Sequence, residues 1–242
     1  VVKILLANSP FQYFHTTSFF HPDWGALNLA QLAAMVDTPD NEIRLVDNWH
    51  PWWRSESIVS TARRFKPDMI GISNSTDGDT ESILEVVRRL RREFPGVFLV
   101  AGGEAAHVKH DYLLREGFDA VVMGEGEYTF RDLVVAKNAN AEWRTIDGLA
   151  YLKGGAVTRT SERPFISNLD ELPYPARHLM PRLRSIFFPG RLSAEIETAR
   201  GCCYGCDYCS ITAFWKRTLR KKSNERILEE LRHIKRTTGA TQ

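Results

Sequence analysis

The residues with the clearest chemical potential are the cysteines, because all of them lie in one short segment, 202–209. Cys202, Cys206 and Cys209 follow a C-x3-C-x2-C spacing, and Cys203 is the extra one. Three thiolates on one loop can bind three irons of a cubic iron–sulfur cluster and leave the fourth iron open. Because an open iron can bind and activate a substrate, this spacing predicts a reactive cluster.

Three other uses of these cysteines are less consistent with the sequence. A structural disulfide is disfavoured, because nothing resembles a secretory signal and clustered thiols indicate a reducing compartment, which predicts a cytoplasmic location. A structural zinc site needs a distant second ligand pair that no remaining cysteine supplies, while a catalytic zinc with a histidine ligand stays open. A ferredoxin-like run from Cys203 would need its fourth ligand at position 213, which is Ala213.

The cysteine segment resembles the signature of radical S-adenosylmethionine (SAM) enzymes. The resemblance rests on the cysteine spacing, on aromatic Tyr208 before the last cysteine, and on the preceding Glu197-x-x-Arg200-Gly201. It implies a 4Fe-4S cluster on Cys202, Cys206 and Cys209, SAM on the open iron, and Tyr208 near the adenine. It also implies an external one-electron reductant of the flavodoxin or ferredoxin type and cleavage of SAM to a 5′-deoxyadenosyl radical.

Length and composition describe a soluble, globular protein of one large or two ordinary domains. The chain has 242 residues, of which 43% are hydrophobic and 26% are charged. A net charge of +2 gives no argument for nucleic-acid binding, and no apolar stretch is long enough to span a membrane. We therefore expect a small-molecule substrate, no nucleic-acid partner and no membrane span.

The chain before the cysteines alternates short apolar runs with helical patterns. The predicted strands are Val2–Ala7, Ile43–Asp47, Met69–Ser73, Val97–Ala101 and Ala120–Met123. The predicted helices are a segment from Leu27 to Val36, then Ile58–Phe65, Thr80–Phe94, Asp111–Glu116 and Glu127–Ala136. This alternation predicts an α/β fold with a doubly wound parallel sheet, a Rossmann-like domain over residues 1–146.

Small and polar residues follow several of these strands, at the sheet edge where doubly wound folds bind ligands. They are Asn8, Ser9 and Pro10, then Ser73, Ser75 and Thr76, then Gly102, Gly103 and Glu104, and finally Gly124, Glu125, Gly126 and Glu127. The last group is no Rossmann fingerprint, because Thr129 stands where the third glycine belongs. Each loop taken alone is equally well explained as an ordinary strand end.

Together these loops resemble the cobalamin-binding domain of cobalamin-dependent radical SAM enzymes. The best matches are Gly102-Gly103, Val121–Glu127 and Trp24-Gly25 with the leucine-rich segment after it. The resemblance implies that the loops at 102–104 and 124–127 hold the nucleotide tail of cobalamin, whereas those at 8–10 and 73–76 face the corrin.

The cobalt-ligating motif Asp-x-His-x-x-Gly of other cobalamin domains has no match in this chain. We therefore expect cobalamin to bind without a histidine ligand from that motif. A residue from Phe11–Asp23 or from Ser73–Asp79 would then lie over the lower face of the corrin.

The rest of the chain is predicted as a connector at 147–190, interrupted by prolines, and the start of a radical SAM domain at 191–242. Arg191–Thr198 is expected to be the first barrel strand, and the last helix begins after Ser223 and ends at Gly239. A full (β/α)8 barrel needs roughly 200 residues or more. We therefore expect an incomplete barrel, and no turnover by these residues alone.

The resemblance implies methyl transfer to an unactivated carbon or phosphorus as the commonest outcome. Two alternatives stay open. One is ring formation of the kind carried out by the anaerobic magnesium-protoporphyrin ester cyclase. The other is a non-catalytic module that binds cobalamin or an iron–sulfur cluster without cleaving SAM.

Overall fold

The computed structural model describes residues 1–10, 26–47, 57–75, 80–180 and 194–240. The predicted cobalamin contact Thr76, the segment Phe11–Asp23 and positions 191–193 of the predicted barrel strand lie outside these residues. Within the described ranges, no helix has the length and apolar character needed to cross a membrane.

The described chain is built on a mainly parallel sheet, as the alternating pattern predicts. Its strands are β1 (Val2–Asn8), β2 (Asn41–Val46), β3 (Met69–Ser73), β4 (Phe98–Gly102), β5 (Ala120–Val122), β6 (Leu149–Lys153) and β7 (Ala156–Arg159). The strand order is β2-β1-β3-β4-β5-β6-β7, with the first five parallel and the last two antiparallel. This order places a topological switch point, where ligands bind, between β1 and β3.

Helices cover both faces of the sheet. They are α1 (Leu27–Ala34), α2 (Ile58–Phe65), α3 (Thr80–Glu93), α4 (Glu104–Val108), α5 (His110–Arg115) and α6 (Glu127–Asn138). Helices α1 and α6 bury Leu29, Phe130 and Leu133 against one face, and α2, α3 and α5 pack on the other. Because both faces are covered, the parallel strands read as continuous apolar runs instead of alternating ones.

The sheet continues beyond residue 146, where the sequence predicts a connector. Strands β6 and β7 form an antiparallel hairpin that extends the sheet to Arg159. The turn is Gly154-Gly155, and both glycines have positive φ, as tight hairpin turns require. The hairpin was not predicted because β7 is short and partly exposed, so its sequence has little apolar periodicity. The division into domains at 146 and 190 stays a prediction.

The strand that precedes the cysteines begins later in the chain than the sequence predicts. Residues 194–198, expected in the first barrel strand, form no strand; instead β8 (Ala199–Gly201) pairs antiparallel with β9 (Leu219–Lys221). A strand needs a neighbour for its backbone groups, and β9 offers that pairing only from residue 199 onward. Between β8 and β9 lies α7 (Ser210–Trp215), and α8 (Asn224–Thr238) follows.

The ends of α8 agree with the sequence prediction. The Ser223 side chain accepts a hydrogen bond from the Arg226 N–H at 3.0 Å, and Gly239 ends the helix with a φ of 72°. A serine N-cap and a left-handed glycine are the usual partners of otherwise unpaired backbone groups at helix ends.

Candidate functional site

A cavity of about 390 Å³ opens at the carboxyl ends of the parallel strands, on the sheet face covered by α1 and α6. Its inner wall is apolar and is formed by Leu6, Leu29, Gly71, Val100, Val122 and Phe130. Gly71 keeps part of this space open, since a Cβ there would lie 2.7 Å from Cδ2 of Leu6. The cavity therefore offers an apolar binding surface at the switch point of the sheet.

The mouth of the cavity brings together three of the four predicted loops. It is lined by Ser73 and Ser75, by residues 102–104 and by residues 124–127. The residues after β1, Asn8, Ser9 and Pro10, are described but do not line it. The Asn8 side chain is connected to the mouth through Asn28, whose amide donates to Oδ1 of Asn8 at 2.9 Å and to Oγ of Ser73 at 3.1 Å.

Gly103 allows close contact between the loop after β3 and the loop after β4. Its φ is +102°, and a Cβ at this position would lie 2.5 Å from the backbone oxygen of Asn74. The Asn74 N–H donates to Gly102 O at 2.7 Å, and Asn74 O accepts from the Ala106 N–H at 3.3 Å. Only glycine fits this close approach, so the glycine pair sets the shape of the mouth.

A buried cluster of charges connects the mouth to β8. Arg200 forms ion pairs with Glu125 at 2.9 Å, Glu127 at 2.8 Å and Glu197 at 2.7 Å, and its side chain is only 9% exposed. The second oxygen of Glu125 pairs with Arg220 at 2.7 Å. Burial opposes the charge of Arg200, but the three carboxylates outweigh it and raise the pKa of the guanidinium, which therefore stays charged.

A second group of contacts connects the mouth to α7. The indole N–H of Trp215 donates to Oε1 of Glu104 at 2.9 Å, and both Trp215 and Phe214 line the cavity. Phe214 also packs edge-on against the ring of His107, with centroids 5.2 Å apart. His107 accepts a hydrogen bond from the Gly124 N–H through Nδ1 at 3.2 Å, and burial is the main cause that lowers its pKa.

The cysteine loop lies between β8 and α7. Cys203 and Cys206 are exposed, Cys202 and Cys209 are half-buried, and all four thiols are unbridged. Tyr208, the predicted adenine contact, is 92% exposed. Among the residues that the structure describes, no three His, Cys, Asp or Glu side chains form a group that could hold a metal ion. Assignment of the cluster therefore stays a prediction from spacing, although three thiols on one exposed loop are suitable iron ligands.

In the described part of the chain, no histidine lines the cavity itself, although His107 contacts the lining residues Gly124 and Phe214. His110 accepts from Arg159 at 3.1 Å, His178 lies 3.2 Å from Asp37, and His233 stacks on Tyr174. Binding of cobalamin without a histidine ligand from the Asp-x-His-x-x-Gly motif stays a prediction; His15, His21 and His50 lie outside the described residues.

Several cavity residues were not predicted from the sequence. Asn28, Glu197, Arg200, Phe214, Trp215 and Lys222 all line it, yet they come from segments without a glycine-rich loop. Lys222 is buried and pairs with Glu230 at 2.6 Å. One signal that could have found the apolar wall is Gly71, the single small residue inside an otherwise bulky buried strand.

Comparisons with known proteins agree with this arrangement. The family model of the B12 binding domain matches residues 18–134. The chain is 32% identical over 209 residues to the uncharacterized methyltransferase PH0819 of Pyrococcus horikoshii, an alignment with 85% of this chain and 44% of that protein. It is also 32% identical over 222 residues to the hopanoid C-3 methylase of Methylococcus capsulatus, with 86% of this chain and 40% of the relative aligned. The chain thus spans less than half the length of both relatives.

A solved structure has the same fold. The cobalamin-dependent S-adenosylmethionine radical enzyme OxsB, with aqua-cobalamin and S-adenosylmethionine bound, superposes with a TM-score of 0.73. The superposition includes 99% of this chain and 32% of OxsB at 20% sequence identity. At that identity the likeness establishes the fold.

Proposed function

Because this chain belongs to the family of cobalamin-dependent radical SAM enzymes, we propose that it carries the cobalamin site and the cluster loop of a methyltransferase. The proposed methyl acceptor is an unactivated carbon or phosphorus of a small molecule. The observation that carries the proposal is the cavity at the strand ends, because residues from three of the four loops that the resemblance assigns to cobalamin line it.

The cavity suits the nucleotide tail of cobalamin. Its inner wall of Leu6, Val100 and Phe130 is apolar, and Gly71 leaves room that a side chain would fill. The mouth offers backbone groups at glycines, which allow a large ligand to approach closely. Under this proposal residues 102–104 and 124–127 hold the tail. Ser73, Ser75, Asn8, Ser9 and Pro10 would face the corrin, and the resemblance assigns Thr76, outside the described residues, to the same group.

The cysteine loop suits an iron–sulfur cluster by its donor set. Cys202, Cys206 and Cys209 would ligate three irons, and exposed Tyr208 would contact the adenine of SAM. When bound, the cluster would supply radical formation from SAM, and cobalamin would supply the methyl group. The chain orients them and excludes water. Arg200 would keep the strand before Cys202 in place through its three carboxylate partners.

The proposal includes an external one-electron reductant of the flavodoxin or ferredoxin type and a cytoplasmic location. The sequence leaves two alternatives open. Ring formation would give a product other than methyl transfer, and a non-catalytic module would give no product. The same experiment therefore separates all three.

The test uses the full-length protein from which this sequence comes, with its cluster reconstituted and reduced anaerobically. We expect 5′-deoxyadenosine or methylated cobalamin to form on addition of SAM. A triple Cys202→Ala, Cys206→Ala, Cys209→Ala variant is the matched control and should form neither. Absence of both products from the parent protein would contradict an enzyme and favour the non-catalytic module. Methylated cobalamin among the products would favour methyl transfer, and 5′-deoxyadenosine without methylated cobalamin would favour ring formation.

A further inference from the structure

The cysteine loop is attached at both of its flanks to the two glycine loops at the cavity mouth. We propose that these attachments couple cobalamin binding to the cluster, with Arg200 and Trp215 as the positioning residues. The inference rests on the proposed function, since it takes the cavity occupant to be cobalamin and the cysteine ligand to be an iron–sulfur cluster.

The first attachment precedes the cysteines. Arg200 is separated from Cys202 only by Gly201, and its guanidinium is held by Glu125 and Glu127 of the loop after β5. These side chains are 9%, 5% and 8% exposed, so water competes little for their charges. Gly201 has a φ of +96°, and a Cβ there would lie 2.0 Å from Thr218 O. The backbone therefore has little freedom between Arg200 and the first thiol.

The second attachment follows the cysteines. Helix α7 begins at Ser210, directly after Cys209, and ends at Trp215, whose indole N–H is bound by Glu104 at 2.9 Å. Glu104 comes directly after Gly103, the glycine that locks the loop after β4. A movement of the 102–104 loop would thus be transmitted to the helix that continues the cysteine loop.

The two attachments also contact each other. Arg220 pairs with Glu125 at 2.7 Å, and its guanidinium lies over the Trp215 ring, 5.4 Å from the centroid. Glu125 in addition accepts a hydrogen bond from the Ile166 N–H at 2.7 Å. A single carboxylate thereby joins the cavity mouth, the connector and both strands that flank the cysteine loop.

The carboxylates in these attachments line the cavity themselves. Glu104, Glu125 and Glu127 belong to the loops that contact whatever occupies it. A ligand that orders these loops favours one position of Arg200 and of Trp215. Because these residues flank the cysteine loop, the ligand also favours one arrangement of the thiols. By reciprocity, a cluster that fixes the thiols favours the ligand to the same extent. Attachments with a purely structural role would leave the affinity for cobalamin independent of the cluster.

The test is an anaerobic titration of hydroxocobalamin into two forms of the protein, one loaded with the cluster and one without iron. Coupling between sites is typically about 5- to 150-fold, and we expect about tenfold tighter binding to the cluster-loaded form. In Trp215→Phe, which retains an aromatic ring but loses the N–H donor, the ratio should fall toward one. Arg200→Lys, which keeps the charge but loses the planar fork, should act in the same direction.

Trp143→Phe is the matched control, because Trp143 packs against Phe98 and Tyr151 and is not among the cavity-lining residues of the described chain. It should keep the ratio of the parent. Equal affinities in the parent would overturn the inference, and so would a tenfold ratio that survives in Trp215→Phe. Failure of both parent forms to bind cobalamin would instead contradict the proposed function.

The EPR spectrum of the reduced cluster gives a second readout on the same samples. With cobalamin held by excess reductant in the diamagnetic Co(I) state, only the cluster contributes to the spectrum. This spectrum should change on addition of cobalamin in the parent and in Trp143→Phe, but not in Trp215→Phe. An equal spectral change in all three proteins would contradict a positioning role for Trp215.

Discussion

The cavity in the sheet and the cysteine loop differ in how firmly the fold fixes their residues. In the sheet, Leu6, Gly71 and Val100 belong to strands paired on both sides, and the loops of the mouth are hydrogen-bonded to each other. In the cysteine segment, Tyr204 is 71% and Tyr208 is 92% exposed, and the described residues form no group that could hold a metal. The comparison indicates that strand pairing and loop hydrogen bonds form the cavity, whereas the cysteine loop is largely exposed.

The largest expected effect concerns the thiols. Single Cys202→Ala, Cys206→Ala and Cys209→Ala variants should each lose the 4Fe-4S cluster, because the predicted spacing uses all three of these thiols and Cys203 lies off it. Iron and sulfide content after anaerobic reconstitution, together with EPR of the reduced protein, measures the loss. The fold of the sheet should persist in all three variants, since the thiols contribute nothing to its core.

Cys203→Ala is the matched control for these variants. Cys203 lies off the predicted spacing, so its loss should leave the iron content unchanged. Loss of the cluster from Cys203→Ala with retention in Cys202→Ala would contradict the assignment and indicate the ferredoxin-like register.

The next largest effect concerns the junction between the two regions. Arg200→Ala would remove the cation that pairs with buried Glu127 and would leave buried Glu125 with Arg220. Breaking a buried ion pair in this way costs about 3–5 kcal/mol. The free energy of unfolding from denaturant titration measures it. Arg115→Ala, which removes an exposed pair with Asp111, should cost only about 0.3–0.5 kcal/mol. Equal costs for the two variants would show that the junction is not a buried network.

A smaller effect is expected at the mouth of the cavity. Gly103→Ala places a side chain at a φ of +102° and against Asn74 O, and backbone strain of this kind costs of the order of 1–3 kcal/mol. Affinity for cobalamin should fall with it, because the loop must shift. Gly96→Ala is the control, since a Cβ there meets nothing within 4 Å. A Gly103→Ala protein with parental stability and cobalamin affinity would contradict the proposed role of the glycine pair.

The smallest effect is a pH dependence of stability at His107. Burial, with His110 and Arg159 nearby, lowers the pKa of His107 below its ordinary value of 6.5 in the folded protein. The fold therefore favours the neutral ring, and this stability is present above about pH 6.5 and is lost as the pH falls through the folded pKa. Protonation of Nδ1 also removes the acceptor for the Gly124 N–H.

Urea titrations of the parent and of His107→Gln at about pH 7.5 and about pH 5 would measure this contribution. The free energy of unfolding should fall more on acidification in the parent, because glutamine does not titrate. Identical pH dependence in the two proteins would contradict a contribution from His107.

The fold was largely predictable from the sequence, because buried parallel strands and amphipathic helices leave strong local patterns. The stripe of Ile83, Leu84, Val87 and Leu90 on α3 is buried as its spacing predicts. The exceptions are short elements: β7, β8 and β9 are too brief to show a period, and their positions depend on pairing partners elsewhere in the chain. Residues 194–198 were wrongly assigned to a strand for that reason.

The site was predictable where the sequence of a single loop, such as a glycine pair after a strand, indicates binding. Glycines with positive φ mark the mouth, and three of the four predicted loops line the cavity. Arg200 and Trp215 could not be placed there from the sequence, because their partners Glu125 and Glu104 are far away in the chain and only the fold brings them together.

Titration of the protein with cobalamin tests whether the cavity binds this cofactor without a histidine ligand. EPR of the bound, reduced cobalamin is then recorded on protein carrying 14N- or 15N-labelled histidine. We expect one cobalamin per chain and identical spectra for the two labels. Absence of binding, or hyperfine splitting that changes with the histidine label, would contradict it.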